Sequence, residues 1–162
     1  MDYRKEYEKW LASPALSEDE RAELRALEGN DKEIKARFYG QLEFGTAGLR
    51  GTMYTGLHNM NRHVIRWATQ GFANVIRAEG TEAMQKGIAV CMDCRNHSAE
   101  FARETACVMA ANGIHVRLFE SLRPTPGLSF AVREYGCQAG VNVTASHNPK
   151  EYNGYKVYWS DG

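Results

Sequence analysis

Apolar residues recur along this chain with two periods. Tyr3, Tyr7, Trp10 and Leu11 share one helix face, and Pro14 ends that helix. Ser17 with Glu20 forms a capping box that opens a second helix, and Gly29 is its stop. Asn61 caps a helix expected to run to about Arg77, with Val64, Ala68, Gly71, Phe72, Val75 and Ile76 as its buried stripe. Residues 87–92 form an apolar strand, and the helix over 99–112 stops at Gly113. A strand follows over 114–119. Thr125-Pro126 then opens a helix that Gly136 stops near Tyr135.

The most apolar stretch comes next, at residues 139–143. Val141, Val143 and Ala145 alternate with Asn142, Thr144 and Ser146, the period of a strand with one packed face. Pro149 donates no backbone hydrogen bond and Asn148-Pro149 favours a turn, so the strand ends there. Ser146 is thereby held on a tight loop at a strand terminus. In open α/β sheets, ligands bind outside the carboxyl ends of strands. Asn153-Gly154 reads as a turn, and the alternation after it as a short returning strand that carries Lys156.

Strands that alternate with helices predict an α/β fold. The expected architecture is a three-layer α/β/α domain with a mixed, mainly parallel sheet, its last strand antiparallel. Residues 1–37 carry ten acidic and eight basic side chains and form an N-terminal helical extension; the domain proper spans 38–162. The aromatic stripe of the extension is expected to pack on the body of the protein.

Composition narrows the function classes. The chain is 43% hydrophobic and 25% charged, ordinary for a globular domain. Twenty basic residues balance twenty acidic ones, which points to neither nucleic acid nor a charged membrane surface. The first residues lack the apolar core of a signal peptide, so a cytoplasmic protein is the default expectation. Cys91 and Cys94 form a C-x-x-C, but no second pair follows. Cys91 sits in an apolar run, so a buried strand thiol is expected there rather than a redox or zinc site.

The chemistry-bearing residues lie in two places. The first is Ser146-His147-Asn148, with Lys156 ten residues on. A strand, a loop and a returning strand would bring Lys156 towards Ser146. The second is Phe44-Gly45-Thr46-Ala47-Gly48-Leu49-Arg50-Gly51, whose three glycines let a backbone approach something closely. The structural alternative is a serine in a loop, a lysine on a surface strand and a glycine-rich strand entry. A Ser-His hydrolase is disfavoured, because neighbours in an extended segment point to opposite sides and no G-x-S-x-G elbow is present. Asp93 and Arg95 are expected to brace loops, and Ser98 to cap the helix after them.

Thr144-Ala-Ser-His-Asn-Pro149 followed by Asn153-Gly-Tyr-Lys156 resembles the phosphoserine loop of the phosphoglucomutase/phosphomannomutase (α-D-phosphohexomutase) family. The glycine-rich stretch resembles that family's first motif, and stands in the expected order before it. The resemblance looks greatest to the branch with an extended N-terminus, which holds phosphoglucomutase-2-type and bacterial phosphoglucomutase enzymes. It covers roughly residue 38 onward and implies the first of four domains.

By this resemblance Ser146 carries a phosphoryl group and Lys156 is the general acid/base. Arg50, His147 and Asn148 bind phosphate. Mg²⁺ is expected at Ser146, through the phosphate it carries, and glucose 1,6-bisphosphate is expected as activator. The reaction implied interconverts hexose 1-phosphate and hexose 6-phosphate, of glucose or mannose, through a bisphosphate intermediate. The family's Asp-x-Asp-x-Asp metal loop does not occur in these residues. That loop belongs to the family's second domain, and residues 159–162 fall before a closing element of the first would be expected. The resemblance therefore implies a domain incomplete at its C-terminal end, whose partners are the sugar phosphate and further C-terminal domains of the same chain. The isolated piece is expected to be inactive. The alternative is a non-catalytic module that binds phosphosugars or another protein.

Overall fold

The computed structural model describes residues 2–46 and 48–162; Met1 and Ala47, the latter inside the glycine-rich stretch, lie outside the described residues. Three helices come first: α1 (Tyr3–Leu11), α2 (Glu18–Arg25) and α3 (Asp31–Phe38). Then follow β1 (Leu49–Thr52), α4 (Arg62–Ala78), α5 (Thr81–Lys86), β2 (Ile88–Met92) and α6 (Ser98–Ala111). The chain continues through β3 (Val116–Leu118), α7 (Thr125–Glu134), β4 (Ala139–Val143) and β5 (Tyr152–Trp159).

Local chemistry sets most of these boundaries. The Ser17 side chain accepts from the Glu20 backbone, while the Glu20 carboxylate accepts from the Ser17 N–H at 2.8 Å, which closes the capping box of α2. Asn61 accepts from the N–H groups of His63 and Val64 and so starts α4. Gly136, in the left-handed region, follows the end of α7. Ser98 differs from expectation: it is the first residue of α6 rather than its cap. His97 holds the cap position, but its side chain meets the Glu100 carboxylate rather than capping the backbone, and the Ser98 hydroxyl donates to Asp93 at 2.8 Å.

The five strands form one mixed sheet in the order β1-β5-β4-β2-β3. β2 pairs in parallel with both β3 and β4, whereas β5 runs antiparallel to β4 on one side and to β1 on the other. Four strands therefore share one direction and β5 alone opposes them. Alternate residues of the central strands face two different cores. Ile88, Val90, Val141, Val143 and Tyr155 pack with Ile65, Ala73 and Ile76 of α4 and Phe101, Ala102 and Met109 of α6. Ala89 and Cys91 pack with Leu128, Ala131 and Val132 of α7 on the other face. The result is the three-layer α/β/α arrangement expected.

β4 is buried along its whole length, unlike the one-faced strand its alternation suggested. Gly140, Asn142 and Thr144 look polar or small in the sequence, yet α7 and the neighbouring strands cover them. The stripe of α4 is also rotated from expectation. Val75 is half exposed, and the inward residues are Val64, Ile65, Thr69, Ala73 and Ile76. Thr69 is polar, but its hydroxyl meets the buried Tyr155 hydroxyl at 2.9 Å, which satisfies both groups in the core.

The three N-terminal helices bury Trp10, Leu16, Leu24, Leu27, Ile34 and Phe38 together with Leu57. Trp10 meets His63 and Trp67 of α4 edge-on. Glu20 accepts from Arg62 at 2.6 Å and lies 3.2 Å from His63 Nε2. The extension is thus bound to the domain by an aromatic contact and a small charged network.

Candidate active site

The carboxyl ends of β2 and β4 lie side by side, since Met92 pairs with Val143 in the parallel ladder. The two loops that leave these ends carry the only left-handed non-glycine residues among the described positions, His97 (φ 61°) and Ser146 (φ 57°). Such a conformation costs a non-glycine residue roughly 1–2 kcal/mol, so it persists only where surrounding contacts impose it. At Ser146 two contacts are local. Its N–H donates to the Thr144 hydroxyl at 3.0 Å, and the Asn148 N–H donates to the Ala145 carbonyl at 3.1 Å. Ser146 itself is exposed at the loop tip.

The glycine-rich stretch reaches this loop from across β5. Arg50 on β1 pairs with Gly154 of β5, and Gly154 in turn hydrogen-bonds to Thr144 just before the serine. The Arg50 Nη1 donates to the Asn148 side chain at 3.1 Å, while its Nε is buried and unpartnered. Gly45 and Gly48 close a tight turn through reciprocal backbone bonds. Gly48 has φ +85°, and a Cβ there would stand 2.3 Å from the Tyr155 carbonyl. Only glycine fits so close to β5.

Asn153-Gly154 does not form the expected turn; both residues lie inside β5 and are fully buried. The Asn153 side chain donates to the Asn96 carbonyl and the Ser98 hydroxyl, and its oxygen accepts from the Gly154 N–H. The reversal of direction falls earlier, between Ser146 and Glu151. Lys156 consequently sits well along β5, opposite Asn142. It opens on a cavity of about 360 Å³ shared with Phe44, Gly45, Thr46, Gly48 and Tyr158. No hydrogen bond or ion pair joins Lys156 to Ser146 among the described residues. The structure therefore brings Arg50 and Asn148 together, and places Lys156 beside the glycine turn on the same side of β5 as Gly154.

His147 is exposed, and its side chain makes no hydrogen bond among the described residues. The alternation argument against a Ser-His pair fails at Ser146, which is left-handed rather than extended. The lack of a Ser146–His147 bond among the described residues leads to the same conclusion. Cys91 is buried, and its burial, aided by Asp93, pushes the thiol up to about 12, so it is not a nucleophile near neutral pH. No group of three or more His, Cys, Asp or Glu residues is placed to hold a metal ion among the described residues. Asp93, at the end of β2 beside the loop, is engaged by Arg95 and Ser98.

Arg95 is the residue whose role exceeds what the sequence suggested. Its guanidinium reaches four carbonyl oxygens of the serine loop, those of Ser146, Asn148, Pro149 and Tyr152. Only its position in Asp-x-Arg at a strand end marked it beforehand.

Residues 41–162 match the family model described as phosphoglucomutase/phosphomannomutase, alpha/beta/alpha domain I. A phosphopentomutase from Homo sapiens is 43% identical over 141 residues, which make up 83% of this chain and 23% of that protein. A phosphoglucomutase from Staphylococcus aureus (strain USA300) is 42% identical over 133 residues, 82% of this chain and 24% of that protein. The crystal structure of a phosphoglucomutase/phosphomannomutase family protein from Burkholderia thailandensis superposes with a TM-score of 0.62 at 26% identity, covering 74% of this chain and 26% of that one. The chain spans about a quarter of the length of the curated relatives it matches. No helix among the described residues is long and apolar enough to cross a membrane.

Proposed function

Because the chain belongs to the phosphoglucomutase/phosphomannomutase family, we propose that it supplies the phosphoryl-carrying loop of a phosphosugar mutase, with hexose 1-phosphate and 6-phosphate as the substrate pair. The observation that carries this reading is the exposed Ser146 held left-handed at the end of β4, on a loop tied to Arg50. A hydroxyl so presented is free to take and give a phosphoryl group.

In this reading the bond between phosphorus and Ser146 Oγ breaks as a bond to a sugar hydroxyl oxygen forms. The electron pair of the broken bond leaves on Ser146 Oγ, and the proton of the sugar hydroxyl passes to the amine of Lys156, whose new positive charge balances it. The bisphosphate then turns over in the site. Its other phosphoryl group returns to Ser146 Oγ, and the proton goes back to the sugar oxygen. Phosphoryl transfer depends on position and charge neutralisation more than on covalent chemistry. Arg50 suits the neutralising role, since its planar donors match phosphate oxygens and one of them already faces the loop. Asn148 fixes Arg50, and His147 is free to approach the same phosphate. Lys156, on the cavity beside the glycine turn, marks where the sugar hydroxyl would lie.

Magnesium does not fit the described residues as a complete site. They offer a serine that can carry phosphate but no carboxylate cluster, whereas Mg²⁺ favours several oxygen ligands in octahedral geometry. Further ligands would come from elsewhere in the full protein, and no step above is routed through the metal. Glucose 1,6-bisphosphate would act by placing the phosphoryl group on Ser146.

The test uses the full protein that contains this chain. Incubation with phosphorus-labelled glucose 1,6-bisphosphate should mark Ser146, and Ser146→Ala should lose both label and turnover. Lys156→Met should keep the label site and slow turnover by about 10²-fold, the usual scale for loss of a general acid/base. Similarity to proteins described as phosphopentomutases favours a second substrate class, so ribose 1-phosphate is assayed beside glucose 1-phosphate. Undiminished turnover by Ser146→Ala on either sugar would remove Ser146 as the phosphoryl carrier, whereas a wild type that takes no label and turns over neither sugar would support the non-catalytic binding module instead.

A further inference from the structure

We infer that Arg95 is the positioning residue of the phosphoacceptor serine: through backbone carbonyls alone, it holds Ser146 in the conformation that takes the phosphoryl group. The inference rests on the mutase reading for its consequence, and on the loop geometry for its substance. Nη2 donates to the Ser146 carbonyl at 2.8 Å and the Asn148 carbonyl at 2.7 Å. Nη1 donates to the Pro149 carbonyl at 2.9 Å and the Tyr152 carbonyl at 3.1 Å. Nε lies 3.4 Å from Asp93, whose other oxygen accepts from the Arg95 N–H and the Ser98 hydroxyl. The guanidinium is thus oriented from behind by one carboxylate and faces the loop with its fork. The Arg95 side chain is 14% exposed, so these bonds form in a site where water competes poorly.

Two consequences follow for the loop. A left-handed serine has a more stable extended alternative, and the bond to the Ser146 carbonyl opposes rotation towards it. A trans peptide also points its C=O and its N–H in opposite directions, and the chain contains no cis peptide bond among the described residues. With the Ser146 and Pro149 carbonyls turned onto Arg95, the N–H groups of His147 and Lys150 must point away from it. Arg95 therefore sets the direction of the loop dipoles as well as the serine conformation. Lysine cannot substitute, since a single ammonium nitrogen cannot bridge carbonyls spread over seven residues as a planar fork does.

The experiment compares wild type, Arg95→Lys and Arg95→Met in the full protein. Trypsin cleavage after Lys150, an exposed loop residue, reports loop opening without reference to catalysis. Cleavage should quicken by about tenfold in both variants if the loop now opens locally. The rate of Ser146 labelling by glucose 1,6-bisphosphate and kcat should both fall by about 10²-fold with KM within about threefold, because substrate contacts stay and only placement is lost. Should Arg95→Met not fold, Arg95→Lys decides alone. Labelling of Arg95→Lys at the wild-type rate, or slow labelling without faster cleavage, overturns the inference. Should the wild type take no label at all, the mutase reading falls, and the cleavage rates still decide whether Arg95 holds the loop.

Discussion

The buried contact between Tyr155 and Thr69 offers a quantitative check on how the sheet is joined to its helices. Tyr155 of β5 and Thr69 of α4 are both fully buried, and their hydroxyl oxygens stand 2.9 Å apart. Burial drives the Tyr155 phenol upward, only partly offset by the hydroxyls of Thr69 and Thr105, so the group is neutral at any ordinary pH. Tyr155→Phe removes one hydroxyl and leaves Thr69 free to turn to a carbonyl of its own helix. The expected loss is about 1 kcal/mol, the net value of a neutral hydrogen bond. Thr69→Val preserves shape but takes from the buried phenol its 2.9 Å hydroxyl partner and leaves it only Thr105, at a cost of about 2 kcal/mol. The double variant removes both partners, so it should lie near the worse single variant, with a coupling of about 1 kcal/mol. Urea unfolding of all four proteins measures the cycle, provided the slope m is unchanged. Additivity within about 0.3 kcal/mol would mean the two hydroxyls act independently, and would refute the claim that they satisfy each other.

Two further outcomes are expected. Gly48→Ala should destabilise the chain by about 2–4 kcal/mol in urea unfolding, from the left-handed backbone plus the 2.3 Å approach to the Tyr155 carbonyl. Stability should also fall on acidification. Burial, only partly opposed by Glu20, holds His63 below its ordinary 6.5, so the unfolded chain binds the extra proton first. That contribution is complete above pH 6.5 and lost as the pH drops through the depressed value. Burial opposes ionisation of Glu20, but the Ser17 N–H, His63 and Arg62 outweigh it and hold the carboxyl below its ordinary 4.5, which adds a second loss at lower pH. Thermal melts across this range should show both steps, and His63→Gln should remove the upper one.

The parts of the fold that read correctly from the sequence are those fixed by neighbours along the chain. The Ser17–Glu20 box, the Asn61 cap and the Gly136 stop need only local geometry. Asn153-Gly154 misled because its constraint is distant. Asn96 and Ser98, more than fifty residues away, hold the asparagine, and two flanking strands crowd the glycine. Thr69 hid on the polar side of the expected α4 stripe because its partner lies on β5. Ser146 and Arg50 were legible as motif residues. Arg95 was visible only as a brace of unspecified target, since carbonyl oxygens leave no trace in side-chain identity. The hairpin return that carries Lys156 is present, since β5 runs antiparallel to β4, but its turn falls before Asn153-Gly154, and the long β5 places Lys156 opposite Asn142 beside the glycine turn.

How Arg50 reaches the serine loop at all is a question of what lies between them. β1 and β4 are not neighbours; β5 separates them, so their backbones stand about 10 Å apart, two strand spacings. The Arg50 side chain must cross β5 to meet Asn148, and it crosses at Gly154, its partner in the ladder. A Cβ at 154 would stand 2.6 Å from the Thr144 carbonyl and 2.8 Å from the Leu49 carbonyl, and 3.2 Å from Cγ of Arg50. The first two contacts would push β5 away from both neighbours. The third would lift the arginine off its path. One missing side chain therefore serves both the sheet and the site. The antiparallel strand that interrupts an otherwise parallel sheet is what lets a residue from the glycine-rich stretch act on a loop almost a hundred positions later.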